Sequence, residues 1–228
     1  LPARSFEESN MASIELKAAD GHHLDAYEAL PQTKPLGTII VIQEIFGVTR
    51  HIRAVADQYA AAGFRAIAPA LFDRVERHVD VPYTDIQKGF GYMQAMKMDQ
   101  VMLDVQAAID FAAGSGKVGV VGFCWGGTVA YVAAARLSIA AAVSYYGGGT
   151  GNFLTEKPRC PILFHYGERD SHIPPAAVAA VKAANPNGIF HLYPADHGFN
   201  CTDRDSYEPT SAKIALERSL EFFHRYVG

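Results

Sequence analysis

The chain has 228 residues, 49% of them apolar and 19% charged, and 24 acidic residues against 20 basic ones give a net charge of −4. This balance excludes intrinsic disorder, needs no disulfide staple at this length, and argues against a nucleic-acid or polybasic membrane partner. Three cysteines, Cys124, Cys160 and Cys201, occur without CxxC or zinc spacing and read as free thiols of a reducing, cytoplasmic compartment.

In chain order, residues 13–16 and 24–30 are predicted strands joined by a turn at Asp20-Gly21. Residues 38–43, TIIVIQ, form a β-rich run typical of a strand buried on both faces. Helical spacing over 49–62 (Ile52, Val55, Ala56, Tyr59) closes at Gly63, and 64–69 is the next strand. Residues 70–97, with Pro82, Gly89 and Gly91, are expected to form an irregular surface excursion near the site. A helix over 98–113 carries an apolar stripe at Val101, Met102, Val105, Ala108, Ile109 and Ala112.

The run 118–135 has Thr128 as its only polar member and is long enough to suggest a membrane span. Its first part is β-branched, its last part alanine-rich, and glycines interrupt the middle, so it reads as a buried strand, a sharp turn and a buried helix. Further strands are predicted at 139–145, 162–167 and 188–193, with helices at 174–184 and 210–226. Gly147-Gly148-Gly149-Thr150-Gly151 lacks the Lys-Ser/Thr of a phosphate loop and reads as a flexible loop. Alternating strands and helices imply a mainly parallel sheet with helices on both faces, in a single domain over 1–228.

Gly122-Phe123-Cys124-Trp125-Gly126-Gly127 sits at the strand-to-helix turn and matches G-x-nucleophile-x-G. Such a turn crowds the backbone around the nucleophile, and flanking glycines relieve that crowding. The thiol then stands at the carboxyl edge of the sheet beside a helix N-terminus, which favours its thiolate. The backbone N–H of Trp125 is a candidate oxyanion donor. Asp170 follows one later strand and His197 the next, at the same sheet edge and in the acid-then-histidine order. Together they favour a triad in which cysteine attacks, imidazole moves the proton and carboxylate orients the ring. Asp196 and Glu168 are rival acids, and His165 and His172 are weaker alternatives to His197. His22, His23, His51, His78 and His224 read as solvated, and no metal spacing appears.

These pieces, with Gln43-Glu44-Ile45-Phe46-Gly47, Pro69-Ala70-Leu71-Phe72-Asp73-Arg74, Tyr145-Tyr146-Gly147, Gly167-Glu168-Arg169-Asp170 and His197-Gly198-Phe199, resemble the dienelactone hydrolase (carboxymethylenebutenolidase) family of the α/β-hydrolase fold. The resemblance covers nearly the whole chain in the family's order. It implies a Cys124–His197–Asp170 triad joined by Glu44, which in the family holds the thiol proton at rest, and a second oxyanion donor from the N–H of Ile45. It also implies two arginines gripping a substrate carboxylate. One matches Arg74; the other, four residues after the histidine, is replaced by Cys201. Arg204 reaches the same pocket only if its loop folds back; otherwise neutral esters or a different lactone are favoured. Tyr145, Tyr83 and Tyr92 are candidate pocket walls.

The expected protein is thus a cytoplasmic hydrolase, monomer or homodimer, that opens a small lactone or ester through an acyl-cysteine intermediate, with no cofactor and no metal. The alternatives are a general carboxylesterase or thioesterase, and a non-hydrolytic ligand-binding or redox-sensing protein of the same fold.

Overall fold

The computed structural model describes residues 12–228. Eight strands form one sheet: β1 (Ala12–Lys17), β2 (His23–Ala29), β3 (Thr38–Ile42), β4 (Arg65–Pro69), β5 (Val118–Phe123), β6 (Ala141–Tyr145), β7 (Ile162–Gly167) and β8 (Ile189–Tyr193). Their spatial order is β1-β2-β4-β3-β5-β6-β7-β8. β2 pairs antiparallel with β1 and β4, and every other pairing is parallel. Six helices connect or close them: α1 (Arg50–Ala61), α2 (Ile86–Ala95), α3 (Met98–Phe111), α4 (Trp125–Arg136), α5 (Pro175–Ala184) and α6 (Pro209–Tyr226). This is the α/β-hydrolase arrangement of a mainly parallel sheet flanked by helices.

The two helix layers can be read from β5, whose side chains alternate faces. A Cβ at Gly119 would meet Phe223 and Val227 at the end of α6, whereas one at Gly122, of opposite parity, would meet Gly126 of α4. α1 joins the α6 layer through Tyr59 and Phe223, whose rings lie 5.7 Å apart edge-on. β3 is buried throughout, as its uninterrupted apolar run requires. α4 is buried from Gly126 to Ala134, so its apolar surface serves the core. No helix among the described residues is long and apolar enough to cross a membrane.

Three expectations change. Residues 70–97 are not irregular throughout: a 3-10 helix spans Leu71–Arg74 and α2 spans Ile86–Ala95. Gly89 and Gly91 hid α2 from a propensity reading. The Asp85 side chain accepts from the Lys88 N–H at 3.2 Å and caps α2, and Gly89 packs where a Cβ would lie 2.7 Å from the Ile45 carbonyl. The glycine run after β6 is also ordered, as a 3-10 helix over Gly148–Phe153 with Thr150 buried.

The third change is His51, which is 4% exposed on the inner face of α1, with its ring edge-on to Phe123 and Nε2 unpartnered. Burial pushes its pKa down from 6.5 to about 4. A histidine that resists protonation only when folded stabilises the fold above its unfolded value, and that contribution is lost as pH falls from 6.5 toward 4. The loss from His51 amounts to roughly 3 kcal/mol at the acid end. His165, fully buried in β7, shifts in the same direction. Urea unfolding between pH 7 and pH 4 should therefore show a falling midpoint, and His51→Phe should flatten the curve. An unchanged slope in that variant would assign the acid lability elsewhere.

Candidate active site

The strand order reverses between β3 and β5, so their carboxyl ends open a crevice where parallel sheets take ligands. Cys124 follows β5 with φ +57°, a conformation held because its neighbours leave no alternative. Its N–H donates to the Tyr145 carbonyl at 3.0 Å, and its own carbonyl accepts from Gly127 N–H at 3.0 Å. A Cβ at Gly126 would stand 2.4 Å from the Gln43 carbonyl oxygen, and one at Gly127 would stand 2.5 Å from that of Tyr145. Glycine at these positions lets α4 start directly against the ends of β3 and β6.

His197 Nε2 lies 3.1 Å from Cys124 Sγ, and its Nδ1 lies 2.7 Å from Asp170 Oδ2. The other oxygen of Asp170 accepts from the N–H groups of His172 and Ile173 at 2.9 and 3.2 Å, which fixes the carboxylate. Burial opposes a charge on His197, but the adjoining Cys124 and the hydrogen bonds to Asp170 and Cys124 prevail, and its pKa is raised. The contact is short enough for a proton to pass between Sγ and Nε2. The rival acids are placed elsewhere: Glu168 is exposed, and exposed Asp196 accepts from the His197 N–H at 2.6 Å. His165 bonds Tyr193 and Ser219 inside the core. His172 does reach the site, its ring 5.2 Å from that of His197.

Glu44 follows β3 and is 1% exposed, with neither carboxylate oxygen hydrogen-bonded. Burial raises its pKa, and the charges of Arg204 and His197 hold it back. In this arrangement the thiol turns to His197, so Glu44 does not hold it. Ile45 and Trp125 border the cavity beside Cys124. Trp125 opens α4, where an N–H has no acceptor within its helix.

The cavity encloses about 530 Å³ and reaches from Cys124 and His197 to α2. Arg204 lines it, with Nη1 3.7 Å from Glu44 Oε1. Successive turns bring the loop back: Cys201 N–H donates to the Gly198 carbonyl, Arg204 N–H to that of Cys201 and Tyr207 N–H to that of Arg204. Gly198, at φ +77°, leaves room for the guanidinium, since a Cβ there would lie 2.4 Å from Arg204 Nη1. Cys201 itself is fully buried, and burial pushes its thiol up to about 12.

Arg74 is not brought to the cavity. Its guanidinium grips both oxygens of fully buried Asp104 at 2.7 Å and meets Asp20 at 2.8 Å. Asp104 needs that cation, because an unpaired carboxylate at its depth is unfavourable. Tyr145 is also a core residue, its hydroxyl 2.8 Å from Ser219 Oγ; its contribution to the site is the carbonyl that holds Cys124. Tyr83 bonds Thr49 at 2.9 Å and Tyr92 bonds Glu76, and neither is on the cavity lining. Tyr146, read only as part of a motif, packs its buried ring 5.1 Å from that of His197.

Residues 24–227 match the sequence profile of the Dienelactone hydrolase family. The chain belongs to the dienelactone hydrolase family. It is 35% identical to an Escherichia coli K12 protein provisionally named as a carboxymethylenebutenolidase, over 92% of this chain and 85% of that one. It is 33% identical to the carboxymethylenebutenolidase of Pseudomonas putida, over 92% of this chain and 94% of the relative. A crystal structure from Klebsiella pneumoniae, provisionally named as a dienelactone hydrolase, superposes with a TM-score of 0.83 at 30% identity, covering 94% of this chain and 98% of that one. As a member of this family the chain is a hydrolase of ester or lactone bonds acting on a small molecule.

Proposed function

We propose that this dienelactone hydrolase family member works through a Cys124–His197–Asp170 triad and an acyl-Cys124 intermediate, in a single α/β-hydrolase unit. The observation that carries the reading is the continuous relay Sγ to Nε2 at 3.1 Å and Nδ1 to Oδ2 at 2.7 Å, ending on a nucleophile held at positive φ. His197 takes the thiol proton as Sγ bonds to the carbonyl carbon. The N–H groups of Trp125 and Ile45 are assigned to the developing oxyanion. On collapse the imidazolium returns its proton to the departing alkoxide, which in a lactone stays tethered to the acyl chain. His197 then deprotonates a water that attacks the thioester, and the carboxylic acid leaves with Sγ restored.

Asp170 keeps the imidazole in the tautomer with Nε2 toward the thiol. Glu44 is assigned to the charge balance of the site through Arg204. The test is a rapid-mix reaction with a p-nitrophenyl ester. A nitrophenol burst stoichiometric with enzyme is expected, with the acyl mass found on the peptide carrying Cys124 and both signals lost on thiol alkylation. Turnover that survives alkylation, or an acyl group on another residue, would exclude the mechanism.

A further inference from the structure

Around Cys124 the cavity lining mixes polar His197, His172 and Arg204 with apolar Ile45 and Trp125. An apolar wall comes from α2 and the segment after it, through Ile86, Phe90, Met93, Met96 and Met98. Methionine side chains are unbranched and polarisable, and they mould to irregular apolar shapes. Among the described residues, Arg204 is the single lysine or arginine on the lining, and Glu44 already faces it at 3.7 Å. The other arginine in the two-cation expectation, Arg74, is occupied by Asp104 and Asp20. A carboxylate entering this space would have to compete with Glu44 for that guanidinium, against an apolar wall that solvates no charge.

Building on the acyl-enzyme reading, we propose that the preferred substrate is an uncharged ester or lactone whose larger part is an apolar body seated against α2. The methionine wall makes the site tolerant of the shape of that body and intolerant of charge on it. Phe90 and Met93 are then specificity-determining residues, because they contact the part of the substrate that does not react.

The test compares kcat/KM for p-nitrophenyl acetate, pentanoate and hemisuccinate, the last carrying a carboxylate on a chain of similar length. The pentanoate should exceed the hemisuccinate by about tenfold or more, and each added methylene should raise kcat/KM by about threefold until the wall is reached. Phe90→Ala and Met93→Ala should lower the pentanoate-to-acetate ratio by about fivefold, whereas Met93→Leu, which keeps the volume, should retain it. A ratio taken within one variant does not depend on how much of that variant is folded. Hemisuccinate preferred over pentanoate, or a ratio indifferent to both alanine variants, would overturn this substrate class while leaving the acyl-enzyme mechanism standing. No turnover of any of the three esters and no acyl mass on Cys124 would overturn both.

Discussion

Cys124→Ala is expected to lower kcat for activated esters by about four orders of magnitude or more, with His197→Ala nearly as damaging. The two side chains act as one unit across a 3.1 Å contact, so the double variant should be little worse than either single one. Cys201→Ala supplies the contrast. Its thiol is fully buried and raised, so it lacks the exposure and the thiolate fraction that attack requires. That variant should keep kcat/KM within about threefold of the parent. Steady-state kinetics on p-nitrophenyl acetate decide the matter. A loss in Cys201→Ala as deep as in Cys124→Ala would move the nucleophile to the wrong thiol, and near-normal turnover in Cys124→Ala would remove the acyl-cysteine route altogether.

The elbow around Cys124 was legible because its signal is local. Three glycines around one cysteine, between a β-branched run and an alanine-rich run, describe a turn that few other geometries satisfy, and β5, the elbow and α4 follow it. Asp170 and His197 were legible for a different reason: parallel strands align their carboxyl ends, so a residue just past one strand lies near residues just past the next. Arg74 was not legible. Its placement depends on Asp104, which is far away in sequence, and no pattern at position 74 records that the guanidinium is already held. The resemblance to other chains pointed it at substrate, and the buried carboxylate on α3 took it instead.

Arg204 is the reverse case. Counting residues from the histidine gave Cys201, whereas the turns after Gly198 bring position 204 to the cavity. α2 escaped because glycines carry low helix propensity, while the contact that requires Gly89, the Ile45 carbonyl, comes from another part of the chain. His51 did carry a sequence signal. It falls on the buried stripe with Ile52, Val55 and Tyr59, and residue type alone had placed it in solvent.

The fold's least forgiving position is expected to be Gly122. A Cβ there would stand 1.8 Å from the Gly126 oxygen, 2.2 Å from its carbonyl carbon and 2.9 Å from Gly127 N, all of them backbone atoms. No rotamer change can relieve such a clash, so α4 must retreat from β5 or the strand must bend. Gly122→Ala should cost about 4 kcal/mol or more, enough to threaten folding of a domain of ordinary stability. Whatever fraction folds should also hydrolyse esters poorly, because the retreat moves Cys124 and the Trp125 N–H together away from His197. Gly91→Ala separates this effect from glycine replacement in general. Its Cβ meets nothing within 4 Å on the exposed side of α2, so helix propensity alone should raise the melting temperature by about 2–4 °C. Thermal unfolding followed by circular dichroism, with the specific activity of the folded fraction, reads both variants. A Gly122→Ala protein that melts with the parent and turns over normally would mean the elbow has slack that these contacts deny it.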